Sequence, residues 1–146
     1  MIYDICLYKK DQSGELTALS PPYQLATDKN IYIEQLLYAY ASTTPESISE
    51  YSDPYFGSPF LVLCRQYYSA GALTSSIVND LFSKTLRDFV RWYYTNILVK
   101  TISNEHVVQI VGNVTSTIEN NTMKVQFQLN DLDGIDISCK YQFSLQ

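Results

Sequence analysis

The chain has 146 residues, 46% of them hydrophobic, which suits one ordinary domain with a packed core and excludes wholesale disorder. Ten lysines and arginines stand against fifteen acids, for a net charge of −5. So acidic a chain, with no basic stripe, is expected to dock on neither a nucleic-acid backbone nor an anionic membrane surface.

No apolar run reaches transmembrane length. The start, MIYDICLYKK, has neither a basic leader region nor a long apolar stretch, so no secretory signal is expected. Without one, the sequons at Asn113 and Asn120 carry little weight. Cys6, Cys64 and Cys139 are odd in number and far apart, with no C-x-x-C. They read as reduced, mostly buried thiols. The 13 tyrosines point mildly toward protein partners, because tyrosine couples apolar area to a polar tip.

In chain order, IYDICLY (2–8) alternates loosely and runs into KKDQSG, where Gly14 permits a turn. ELTAL then returns, which predicts a β-hairpin. SPPY (20–23) predicts an extended connector, since consecutive prolines fix φ and remove donors. A helix is expected over about 30–42, capped by Thr27, Asp28 or Asn30. Its stripe is Ile33, Leu36, Leu37 and Tyr40, and Pro45 stops it. ESISEYSD is an acidic link.

The next stretch, DPYFGSPF (53–60), is dense in turn residues. Ser58 and Pro59 fit a helix cap and a first-turn proline, for a helix from 59 to about 70 with Gly71 at its end. Thr74 or Ser75 should start a third helix running to about 100. Its stripe is Ile77/Val78, Leu81/Phe82, Leu86, Phe89/Val90, Trp92/Tyr93 and Ile97.

The last third changes period from 3.6 to 2. VVQIVGNVTSTI reads as a strand, and Asn120-Asn121 as a turn. Met123, Val125, Phe127 and Leu129 then share one face. After the DLDG turn, Ile135, Ile137, Cys139, Tyr141, Phe143 and Leu145 do the same. These alternations predict a three-stranded C-terminal antiparallel sheet with one dry face, covered by the long helix. The expected fold is α+β in a single domain, 1–146. Residues 1–24 form the hairpin and connector, and 25–146 the helix-sheet core.

Catalytic and metal-binding patterns are lacking. His106 is the single histidine, and no G-x-S-x-G, Walker or G-x-G-x-x-G motif accompanies it. DLDGID has the wrong spacing for a calcium loop. Loose acid pairs such as Glu46 with Glu50 could be imagined as a glycosidase site, but any chain with fifteen acids offers such pairs. The expectation is a protein without enzymatic activity, cofactor or metal.

An ordered set of motifs remains. It comprises Asp4, Ile5, Leu7, Gly14 and Leu16 in the hairpin, LATD (25–28), IEQLL (33–37), then Asp53-Pro54-Tyr55-Phe56-Gly57. A helical T-x-x-I segment and three amphipathic strands follow. This order resembles the baseplate wedge and sheath-initiator family of contractile phage tails and related injection machines, a family sometimes labelled lysozyme-like. The resemblance spans nearly the whole chain, and Asp53, Pro54, Phe56 and Gly57 carry its most specific motif. The family's Glu-Pro-Arg slot falls on Asn104-Glu105-His106, where the proline and arginine are missing.

The resemblance implies a structural virion protein, made in the host cytoplasm and placed in the baseplate in multiple copies around a ring. Its partners would be the tail sheath protein, baseplate wedge proteins and the tail tube. It would nucleate the first sheath ring by strand addition. The strand through Ile135, Ile137, Cys139, Tyr141 and Phe143 is the candidate edge, guarded only by Asp136 and Lys140. A cell-wall hydrolase of the tail, or another virion part such as a tail-completion protein, are the alternative functions.

Overall fold

A computed structural model of the chain describes residues 5–25, 29–44, 56–96, 108–131 and 136–146. The N-terminal strands form two short antiparallel ladders: β1 (Ile5–Cys6) with β4 (Gln24–Leu25), and β2 (Tyr8–Lys10) with β3 (Leu16–Ala18). The expected connector, 20–23, thus leads into a strand that returns to β1.

The β2–β3 turn is built on Asp11. Its carboxylate accepts the N–H groups of Ser13 (2.9 Å) and Glu15 (3.0 Å) and the Ser13 hydroxyl (2.7 Å). The Ser13 hydroxyl, ahead of the main-chain donors, holds the Asp11 carboxyl below its usual range. Gly14 takes φ +85°, which a residue with a Cβ rarely adopts.

Three helices lie among the described residues: α1 (Lys29–Ser42), α2 (Phe60–Ser69) and α3 (Ser75–Asn96). Helix α2 starts one residue later than expected. Pro59 holds the cap position, and the Ser58 hydroxyl accepts the Phe60 N–H from one residue further out (3.2 Å). At its end Gly71 takes φ +72°, while the Gly71 and Ala72 N–H groups reach back to the Tyr68 and Tyr67 carbonyls. The Thr74 hydroxyl accepts the Ile77 N–H (3.2 Å) and caps α3.

Strands β5 (Val108–Glu119), β6 (Thr122–Asp131) and β7 (Asp136–Ser144) form an antiparallel sheet in the order β5-β6-β7. Asn120 and Asn121 turn between β5 and β6 at φ 49° and 62°, the double positive φ of a two-residue hairpin turn. Burial fixes the register. Met123, Val125, Phe127 and Leu129 on β6, and Ile137, Cys139, Tyr141 and Phe143 on β7, are all buried. A slip by one residue would turn every one of them to water. At about 1.5–3 kcal/mol for each large side chain, no alternative register competes.

The cover of this face is shared rather than given by the long helix alone. Helix α3 lies against β5, with Phe82 against Phe127 (5.0 Å between ring centres). The β7 side is closed by the two shorter helices. Phe60 of α2 meets Phe143 edge-on (5.4 Å), and Tyr38 of α1 stacks on Phe143 (5.1 Å). The chain is therefore α+β, with the N-terminal hairpin joined to the same core through Leu16.

Candidate interaction rims of the C-terminal sheet

The motif turn faces inward where it is described. Phe56 packs edge-on against Trp92 (4.9 Å) and Tyr40 (5.4 Å). Gly57 has φ +120°, a backbone that favours glycine. Ser58 is buried; its N–H donates to the Thr43 carbonyl (2.8 Å) and its hydroxyl meets that of Thr85 (2.8 Å). This stretch ties the end of α1 to α2 and α3. Asp53 and Pro54 lie outside the described residues, as do Asn104, Glu105, His106 and Ile135. Glu46 and Glu50 lie outside them too. Among the described residues no three His, Cys, Asp or Glu side chains come together as a metal site, and no helix is long and apolar enough to cross a membrane.

The outer side of β7 is occupied at every alternate residue from Ser138 to Ser144. The carbonyls of Ser138, Gln142 and Ser144 point away from β6. They accept from Lys10 Nζ (2.7 Å), the Tyr38 hydroxyl (2.9 Å) and Arg65 Nε (3.1 Å). The remaining position, Lys140, pairs with Glu15 in a single parallel bridge. Four elements distant in sequence thus cap one rim: β2, the turn before β3, α1 and α2. The inward side chains Ile137, Cys139, Tyr141 and Phe143 belong to the core.

Beneath that rim sits a buried polar cluster. Glu34 is 1% exposed, yet its carboxylate lies 2.8 Å from Lys10 Nζ. The Tyr141 hydroxyl donates to the Glu34 main-chain carbonyl (2.6 Å). Burial first, then the nearby Glu34 charge, pushes the Cys139 thiol well up, so it stays neutral and unreactive. Burial likewise raises Tyr141 well above the usual phenol range. On the wet face, Lys140 Nζ donates to the Ser13 carbonyl (2.7 Å) and Lys124 lies 3.4 Å from Glu15. Between hairpin and sheet a concavity of about 310 Å³ remains, lined by Ser13, Glu15, Thr115, Thr117, Lys124 and Lys140 among others.

The opposite rim is built differently. The alternation that turns Ser138, Gln142 and Ser144 outward carries through β6. Lys124 and Gln126 direct their main chain to Thr117 and Thr115, leaving the Ser116 and Ile118 main chains facing outward. Among the described residues, no main-chain hydrogen bond reaches β5 from outside the ladder. The Ser116 side chain points inward, bonding Asn79 Oδ1 (2.7 Å) and the Ser75 carbonyl (3.2 Å) of α3. N-terminal to this run the ladder is interrupted. The register shifts between Val111 and Thr115, and Gly112 takes φ +72°. This irregularity separates residues 115–119 as a short segment in continuous register with β6.

The rim contacts were not foreseen from pattern. Glu34 offered a signal, because it lies within the apolar stripe of α1, one residue after Ile33 and three before Leu37. A carboxylate there must find a partner or lose its charge. That the partner is Lys10 depends on a tertiary contact that no local spacing encodes. Comparison with known protein families, with characterised proteins and with solved structures finds no match to this chain.

Proposed function

We propose that this protein is a structural component of the baseplate of a contractile phage tail or related injection machine. It joins wedge proteins and the tail tube to the first sheath ring, and it nucleates sheath assembly by strand addition. The observation that carries this reading is the outward main chain of Ser116 and Ile118, at the rim of a sheet whose dry face is already covered. Such a rim offers donors and acceptors in a fixed register to an extended arm, and alternate side chains set the fit. The chain's acidic balance accords with protein rather than nucleic-acid or membrane partners. The motif order from Asp4 to Gly57 supplies the link to tails, and the role is scaffolding.

Locating the chain in purified tails tests this reading. Mass spectrometry of intact particles should find it in multiple copies, and imaging should place it between the tube, the wedge and the first sheath ring. Particles that lack it would contradict the reading.

A further inference from the structure

The β2–β3 hairpin sits on β7 much as an added strand would, but it is held loosely. Leu16 is buried and the Tyr8 ring lies against Tyr38 (5.4 Å), while Lys9 to Ser13 are exposed. Its hold on β7 is otherwise polar: Lys10 on the Ser138 carbonyl, Lys140 on the Ser13 carbonyl, and the one bridge between Glu15 and Lys140. The concavity behind it shows that hairpin and sheet do not close on each other. A unit with few apolar contacts is the kind that opens locally before the core does.

We propose that the hairpin is a built-in stand-in for a partner strand, so that β7 is a second, guarded acceptor site. This deepens the strand-addition reading and in part rests on it. The occupant is an extended basic segment of another polypeptide. It displaces residues 10–15 and leaves Leu16 in the core, runs parallel to β7 as Glu15 does at Lys140, and places a lysine or arginine on Glu34 and the Ser138 carbonyl. Its basic character follows from the buried Glu34 carboxylate, which Lys10 now faces, and from the chain's net charge of −5. The segment is short, because Tyr38 and Arg65 continue to hold the carbonyls of Gln142 and Ser144. The Ser116 rim, without a main-chain partner among the described residues, needs no such exchange, which gives the two rims an order of filling.

The test uses the purified full chain, so its result is separable from the search for the protein in tails. Lys10→Met should raise amide exchange at Lys140, whose main chain pairs with Glu15, roughly tenfold, with Val125 and Phe127 unchanged. The synthetic peptide YKKDQSGELTA, residues 8–18 in trans, should restore protection to that variant. The same peptide with methionine in place of its second lysine should not. Lys10→Arg should behave as the parent chain. Unchanged exchange at Lys140, a peptide effect indifferent to the lysine, or loss of core protection together with the rim would each overturn the proposal. Dimerisation of the Lys10→Met variant by hairpin exchange would overturn the choice of a foreign segment as the occupant.

Discussion

The two outer strands of one sheet end in opposite conditions. Along β7, Lys10, Glu15, Tyr38 and Arg65 occupy the four alternate positions from Ser138 to Ser144. Along β5, Ser116 and Ile118 turn main-chain groups outward with no main-chain partner among the described residues. Both strands alternate in the same way, so alternation says nothing about which rim is available. What closes a rim is side chains brought from elsewhere in the chain. Along β5 no such side chain reaches the outward main chain among the described residues. Natural sheets protect long edges with charges, cover or bulges. Here β7 has cover over Ser138 to Ser144 and β5 has a bulge, so among the described residues the two edges are protected unequally.

The largest effect on this contrast should come from Phe143→Ala. Phe143 is 2% exposed, stacks on Tyr38 and meets Phe60 edge-on. Its loss should cost about 3–5 kcal/mol and unseat Tyr38 from the β7 rim. Denaturant unfolding would measure the first, and NMR contacts between the Tyr38 ring and Gln142 the second. Lys10→Met comes next. It withdraws the cation from buried Glu34, but Lys10 is itself a third exposed, so the cost should be about 1–3 kcal/mol rather than that of a fully buried pair. Thermal unfolding should show the drop, and Lys10→Arg should recover most of it.

Ser116→Pro sharpens the contrast from the other side. The proline removes an outward N–H rather than a ladder bond, but it also removes the Ser116 hydroxyl from Asn79 and Ser75, so stability should fall by about 1–2 kcal/mol with the fold kept. Assembly by strand addition should nevertheless fail, as a count of sheathed tails would show. A variant that assembles normally would place strand addition elsewhere.

Alkaline pH should act on the covered side. Burial raises Cys64 from its ordinary 9.0 to about 12, and it also raises Cys139, Tyr93 and Tyr141. Above pH 9 the unfolded chain therefore releases protons that the folded chain keeps. Stability is fully present below that pH and falls as pH rises toward 12. Unfolding followed by fluorescence between pH 8 and pH 12 checks the sign (approximate bounds from the same shifts). Cys64 and Cys139 should stay silent to thiol reagents in the native state at neutral pH.

Much of the fold was legible because burial writes itself into periodicity. The β6 and β7 alternations, the Asn120-Asn121 turn and the α3 stripe all mark a face that must be dry. The cover was less legible. A stripe says that a helix buries one side, not what it meets, and α1 and α2 share the β7 half that was expected to lie under α3. Phe56 and Gly57 read correctly as a turn, since aromatic anchoring and positive φ are local needs. The rim contacts were illegible: Ser138, Gln142 and Ser144 meet residues 128, 104 and 79 positions away. Only the misplaced charge of Glu34 hinted that a partner had to arrive.

Residue-resolved amide exchange of the isolated chain tests the difference between the rims most directly. The Ser116 and Ile118 amides should exchange at close to the unprotected rate, while Thr115 and Thr117, bonded into the ladder, exchange slowly. Ser116 and Ile118 amides as slow as those of Thr115 and Thr117 would contradict an open β5 rim, and with it the site proposed for strand addition.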